Sequence, residues 1–240
     1  QWGYGGPDGM EMSRLEKIFV NRSAKGRWNV RRLRKRLETF PMNDVRDVLE
    51  IGCGRGDVAA WLAATYPGLR VTGVDVDPEQ VALARRVHGE TDRLRFVEGD
   101  ATDLPLADAG VNVVVAHHVF HHLPGWRDAV AELRRVLRPS GAVLWLDLTV
   151  PAIVRDVLRP FARKSGLFTF VDVAGAFSAK GLRLVDRRTV WSGPLVHQDL
   201  VLRRVELGRA AMTARRTQKS ETPSTPSTTN TAPTTIGKIA

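Results

Sequence analysis

Cysteine is almost missing from this chain: Cys53 is the single one in 240 residues. No intramolecular disulfide can form, and neither a CxxC metal site nor a cysteine pair exists. Long hydrophobic runs are missing too; none approaches the roughly 18 residues that suggest a membrane span. The start also lacks the charged-then-apolar pattern of a signal segment, so a cytoplasmic location is the expectation. No internal repeat is evident. Acidic residues are in short supply, with 26 Asp and Glu against 36 Lys and Arg and a formal net charge of +10. Cys53 reads as a small residue that fits its surroundings, with a reactive thiol as the alternative.

What is present is ordinary for a globular domain, with 43% hydrophobic and 26% charged residues, and the length suits one domain with trimmings. Residues 1–12 read as a flexible leader or expression remnant and 13–42 as a basic helical lid. The main domain is expected over 43–208. Residues 209–240, rich in Ser, Thr and Pro, cannot offset their own ordering entropy and read as disordered. Much of the positive charge lies in Arg22 to Arg36 and Arg203 to Lys219. Basic flanks on a balanced core suit an anionic partner, whether a membrane surface, an acidic substrate or RNA; a merely solvated basic surface is the alternative.

Short β-branched runs alternate with helical patterns between residues 45 and 148. Strands are expected at Val45–Ile51, Arg70–Asp75, Leu94–Glu98, Val111–Ala116 and Ala142–Leu148. Helices are expected at Asp57–Thr65, Pro78–Val87 and Trp126–Leu137, the last stopping at Arg138-Pro139-Ser140-Gly141. Such alternation implies right-handed crossovers and a mostly parallel sheet covered on both faces. Beyond Pro151 the spacing predicts helices at Ile153–Phe161, with Arg155, Arg159 and Arg163 on one side, and at Phe170–Ala179. Strands at Leu182–Val190 and Val196–Arg204, joined through Trp191-Ser192-Gly193-Pro194, should add an antiparallel edge hairpin.

The run Val48-Leu49-Glu50-Ile51-Gly52-Cys53-Gly54-Arg55-Gly56 delivers a glycine-rich loop to a helix N-terminus, a suitable cradle for a nucleoside ligand. The spacing is GxGxG; Asp57 stands where a dinucleotide fold wants its third glycine, which points away from NAD. Asp75 follows at the carboxyl end of the next strand, placed to accept hydrogen bonds from ribose hydroxyls. Asp77 better suits the role of N-cap for the helix opened by Pro78.

Five segments in order resemble the class I S-adenosylmethionine-dependent methyltransferases, in particular the small-molecule and lipid group of methyltransferase type 11. They are Val48–Gly56, then Val71-Thr72-Gly73-Val74-Asp75-Val76-Asp77-Pro78, then Phe96-Val97-Glu98-Gly99-Asp100-Ala101. Val113 to Leu123, with its four histidines, and Leu133 to Gly141 complete the set. The resemblance implies a Rossmann-like α/β fold, a mostly parallel seven-stranded sheet with an antiparallel edge hairpin and helices on both faces. It also implies S-adenosylmethionine as methyl donor and S-adenosylhomocysteine as product. Carried onto this chain, the cofactor residues would be Glu50, Gly52, Cys53, Gly54, Gly56, Asp75, Val76, Asp100, Ala101 and His117. Asp100 would take the adenine amine, with a turn role as its alternative, and Glu50 the cofactor ammonium or the loop amides. Asn112 and Ser140 depart from the family pattern, which often has an acid and a glycine there.

The resemblance implies an in-line methyl displacement, for which the protein mainly aligns acceptor and donor; a base is needed only if the acceptor must lose a proton. His117, His118, His121 and His122 crowd the loop beside the expected methyl. His117 and His121 are the candidate catalytic residues and Asp147 a further candidate base; a metal is not expected there, and His122 suits packing. The run lacks Asn-Pro-Pro-Tyr or Asp-Pro-Pro-Tyr, which counts against amino methylation of adenine, and no cysteine stands near for covalent 5-methylcytosine chemistry. A small apolar or lipid-like acceptor is therefore expected. Trp28, Val30, Leu33 and Leu37 among arginines, and Ile153, Val154, Val157, Leu158 and Phe161, form two amphipathic helices that admit peripheral membrane contact or simple packing over the cleft. An RNA acceptor and a catalytically silent cofactor binder stay open as alternatives, although no RNA module is recognisable and nucleic acid is not the expected partner.

Overall fold

The computed structural model describes residues 23–158, 167–192 and 195–205. These belong to one unit that ends at Glu206. The leader at 1–12, the tail at 209–240, and Arg159, Phe161 and Arg163 of the second lid lie outside the described residues.

A helix α1 (Ser23–Leu37) precedes a run of β1 (Asp47–Ile51), α2 (Asp57–Thr65), β2 (Arg70–Asp75), α3 (Pro78–His88) and β3 (Leu94–Glu98). Then come β4 (Val111–His117), a 3₁₀ turn (Phe120–His122), α4 (Trp126–Val136), β5 (Leu137–Thr149), α5 (Ala152–Leu158), α6 (Phe170–Ala179), β6 (Leu182–Ser192) and β7 (Leu195–Arg204). The seven strands form one sheet in the order β3-β2-β1-β4-β5-β7-β6. The first five run parallel, and β7 joins β5 antiparallel and carries β6 at the edge. The edge hairpin is thus present, with the later strand inside.

The parallel strands are covered on both faces, and this is why β4 reads as an unbroken apolar run: Val113, Val114, Val115 and Ala116 are all buried. Val114 and Ala116 face a core with Trp126, Val130 and Leu133 of α4, Trp145 of β5 and Phe177 of α6. Val113 and Val115 face the other, with Val58 and Leu62 of α2, Val81 of α3 and Leu33 of α1. At Leu33 and Leu37, four residues apart, α1 turns its apolar stripe inward, and the basic last turn of the helix complements its dipole.

Several boundaries differ from the pattern reading. The first strand begins at Asp47 rather than Val45, and α4 ends at Val136. Arg138-Pro139-Ser140-Gly141 does not break the chain into a loop: β5 starts at Leu137, which pairs with Val111, and the ladder absorbs the irregularity as a register shift between Val111 and Val113. Ser140 takes φ +62° there, the left-handed conformation that explains why glycine suits this place. Asn112 ties the start of β4 to that of β1, because its Oδ1 accepts from the amides of Arg46 and Asp47 at 3.0 and 2.9 Å. Trp191 and Ser192 extend β6 instead of forming its turn. The helix α5 is described only to Leu158, and Arg155 pairs with Asp172 at 2.8 Å.

Candidate active site

Strand order reverses between β1 and β4, and in open α/β sheets ligands bind outside the carboxyl ends of the strands at such a point. A cleft lies there. Its floor is the loop after β1, one wall is the end of β2 with Asp75 and Val76, and another is Asp100 and Ala101 after β3. The far side comes from His117, His118 and Val119 after β4. Gly26 and Asn29 of α1 close over it.

Gly52 takes φ +64°, and a Cβ there would stand 2.5 Å from Cγ2 of Val119, so only glycine lets the loop pass under the β4 loop. Gly56, the N-cap of α2, also has positive φ, but a Cβ there would meet the Phe96 ring at 2.6 Å. Gly56 is therefore a packing glycine between α2 and β3, and among the expected cofactor residues it alone does not line the cleft.

Carboxylates dominate the site. Asp75 is buried; its Oδ2 accepts from the Gly54 amide at 2.7 Å and its Oδ1 from the Asp77 amide at 3.0 Å. Glu50 is buried beneath the loop and accepts at 2.8 Å from the amide of Ala59, in the first turn of α2, rather than from the loop itself. Burial pushes the Glu50 carboxyl well above its usual range, with Asp75 and Asp57 adding to the rise and the Ala59 amide opposing it. Burial likewise raises Asp75, against the pull of the amides of Asp77 and Gly54. Asp77 is the N-cap of α3, accepting from Glu79 at 2.9 Å. Asp100 combines both readings: its Oδ1 accepts from the Thr102 amide at 2.7 Å in a turn, and it lines the cleft. Burial holds the Cys53 thiol well above its ordinary value, so it stays protonated and acts as a small packing group.

The histidines separate in role. His117 is buried at the end of β4, with its ring 6.1 Å from that of Trp28. Arg32 of α1 donates from Nη1 to His118 Nε2 at 2.8 Å, while its Nε donates to Asp199 of β7 at 2.7 Å. His121 does not line the cleft. Its Nδ1 sits 2.5 Å from Oδ1 of Asp147, and its ring stands edge-on to His118 with 5.8 Å between centroids. Asp147 is fully buried and also accepts from the amides of Val119, Phe120 and Leu148 at 3.0, 2.7 and 2.7 Å. Burial alone would raise its carboxyl, but the charge and hydrogen bond of His121, with His118 and the Leu148 amide, outweigh that and hold it well below the carboxylate range. A closed, ionised, four-donor carboxylate is unsuited to be the base that the sequence suggested.

Three contributors were not singled out from sequence: Gly26, Asn29 and Arg32. Gly26 lets α1 approach so closely that a Cβ would overlap the Asp57 carboxylate, and Asn29 Oδ1 is buried without a hydrogen-bond partner among the described residues. Only the basic, small-residue makeup of α1 hinted at them.

Residues 49–145 match the family model described as "Methyltransferase domain". The chain is 39% identical over 100 residues to a fatty-acid O-methyltransferase of Mycolicibacterium smegmatis, a match covering 42% of this chain and 36% of that protein. It is 33% identical over 126 residues to a demethylmenaquinone methyltransferase of Thermus thermophilus, covering 52% of this chain and 56% of that protein. The matches therefore span about a third to a half of the length of these relatives. The PH0226 protein of Pyrococcus horikoshii has the same fold, with a TM-score of 0.65 at 20% identity, covering 81% of this chain and all of that one. The glycine loop, Asp75, Asp100 and the four histidines after β4 all fall within residues 49–145, the part of the chain that is similar to a methyltransferase domain.

Proposed function

We propose that this protein transfers a methyl group from S-adenosylmethionine to a small, apolar or lipid-like acceptor. The observation that carries the reading is the ring of carboxylates, Glu50, Asp75 and Asp100, around a glycine floor at the switch point. The cleft fits the donor on three counts. Buried acids whose ionisation is opposed by burial gain from a ligand bearing ammonium and sulfonium charge. Gly52 lets the loop pass beneath Val119 and so form the floor of the cleft. The Asn29 Oδ1, without a hydrogen-bond partner among the described residues, offers an acceptor from above.

In this reading Asp75 holds the ribose hydroxyls, using the lone pairs that its two amide contacts leave over. Asp100 and the Ala101 amide read the adenine edge, with Val76 against the ring. Glu50, Gly52, Cys53 and Gly54 shape the methionine end, and His117 walls the path to the methyl. Bound there, S-adenosylmethionine supplies a methyl already activated on sulfur. The chain's own part is to align the acceptor and exclude water.

The apolar acceptor is supported by the names of the relatives and by exposed apolar side chains near the carboxyl end of β5. Ile153 and Val157 of α5 are 74% and 63% exposed, and Trp191 of β6 is 68% exposed. No helix among the described residues is long and apolar enough to cross a membrane, and the membrane contact proposed is a peripheral one through α5. A cytoplasmic site of action belongs to the same proposal. Titration calorimetry tests the donor: S-adenosylhomocysteine should bind and NAD should not. Binding of NAD in its place overturns the reading.

A further inference from the structure

The pairing of His121 with Asp147 bears on the atom that receives the methyl. A carboxylate acceptor is already anionic at neutral pH and needs no proton removed, whereas a hydroxyl is a poor nucleophile until it loses one. Asp147 fixes one ring nitrogen of His121 at 2.5 Å, and three backbone amides hold Asp147 itself in place. With Nδ1–H donated to the carboxylate, Nε2 is left as the basic nitrogen, and the ring is oriented by a group that cannot reach the acceptor. His121 is 25% exposed and adjoins His118, which lines the donor cleft. His118 is turned to other work, since its Nε2 accepts from Arg32.

We infer that His121 is the general base for an acceptor hydroxyl, alcohol or phenol, and that Asp147 is its positioning residue. The inference rests on the methyltransferase reading and narrows its acceptor class. The hydroxyl oxygen forms the O–CH₃ bond as the S–CH₃ bond breaks, whose electron pair stays on sulfur to give the neutral thioether. The hydroxyl proton passes to His121 Nε2, and Asp147 balances the imidazolium. The groups facing His121 are Asp147 on β5 and His118 and His122 on its own loop, with Arg32 of α1 and His197 and Asp199 of β7 behind His118.

The test incubates the full chain with S-adenosylmethionine carrying a tritiated methyl and a total bacterial lipid extract as acceptor pool, then treats the labelled lipid chemically. A methyl ether survives mild alkali and releases volatile methyl iodide in hydriodic acid, and this is the expected product. Label released by alkali marks a methyl ester, and label released by neither marks a carbon acceptor; either overturns the hydroxyl assignment but leaves the methyltransferase reading standing. No label in any lipid, with S-adenosylhomocysteine still bound, overturns both.

With the ether product in hand, His121→Gln should lower kcat/KM by about 100-fold or more and abolish the acid limb of its pH profile, while product binding is unchanged. Added imidazole should partly restore His121→Gly. Asp147→Asn should lower kcat more than it raises KM. An unchanged pH profile in His121→Gln overturns the base. So does activity lost to a chelator and restored by a divalent cation, because His118, His121 and Asp147 would then be metal ligands.

Discussion

The carboxylate of Asp75 accepts the Gly54 amide at 2.7 Å, so the end of β2 holds the glycine loop that leaves β1. One side chain thus shapes the floor of the cleft and presents its remaining lone pairs to a ligand. Hydrogen bonds to charged groups are worth about 1.5–3 kcal/mol. Asp75→Asn should therefore weaken S-adenosylhomocysteine binding by about tenfold to a hundredfold, measured by calorimetry, with a smaller loss of thermal stability. Unchanged affinity would remove Asp75 from the ribose.

Glu50 gives a prediction of opposite sign for stability and binding. Its folded-state carboxyl lies above its unfolded value because of burial. The stability it contributes is full below the unfolded value and is lost as pH rises through the folded one. Above the folded value the ionised form is a burden on the empty protein. Glu50→Gln keeps an oxygen for the Ala59 amide and should raise the melting temperature by about 2–4 °C, corresponding to about 1 kcal/mol in a domain of this size. The same variant should bind the cationic donor less well. A fall in melting temperature at neutral pH would contradict the assignment.

Gly52→Ala places a Cβ at 2.5 Å from Val119 with φ at +64°. Strain of this kind costs about 1–3 kcal/mol, and relief requires the loop after β4 to shift. Both the unfolding midpoint and cofactor affinity should fall. A variant that loses neither would show that the loop does not pass under Val119.

The exposed apolar face of α5 yields a prediction about surfaces. Vesicles containing anionic lipid should sediment the protein at low salt and less at physiological salt, as expected for basic amphipathic contact. Ile153→Ser with Val157→Ser should reduce binding by about tenfold or more, since burying one such side chain is worth about 1.5–3 kcal/mol. No sedimentation at either salt ends the membrane proposal.

Local chemistry made much of the site legible. The alternating glycines, a carboxylate ending a β-branched run, and Asp77-Pro78 each have a mechanism confined to a few residues, and Glu50, Asp75, Asp100 and His117, which the family resemblance grouped, line one cleft. Pattern misled where tertiary pairing overruled a local signal. Pro139 and Gly141 look like a break, yet Leu137 pairs with Val111, and Arg204 donates to the Leu137 carbonyl. Arg32 meeting Asp199, 167 positions away, leaves no trace in periodicity. The same holds for Asp147: alternation put it on a strand, but only the packing of β5 against the 3₁₀ turn shows a carboxylate enclosed by amides and fastened to His121.

Transfer of label is the most direct test of the central claim. The full chain is incubated with tritium-labelled S-adenosylmethionine and a bacterial lysate, which is then divided into organic extract, RNA and protein. The account predicts label in the organic extract, and its loss with Asp75→Asn. Label confined to RNA, or absent from every fraction while S-adenosylhomocysteine still binds, would contradict it.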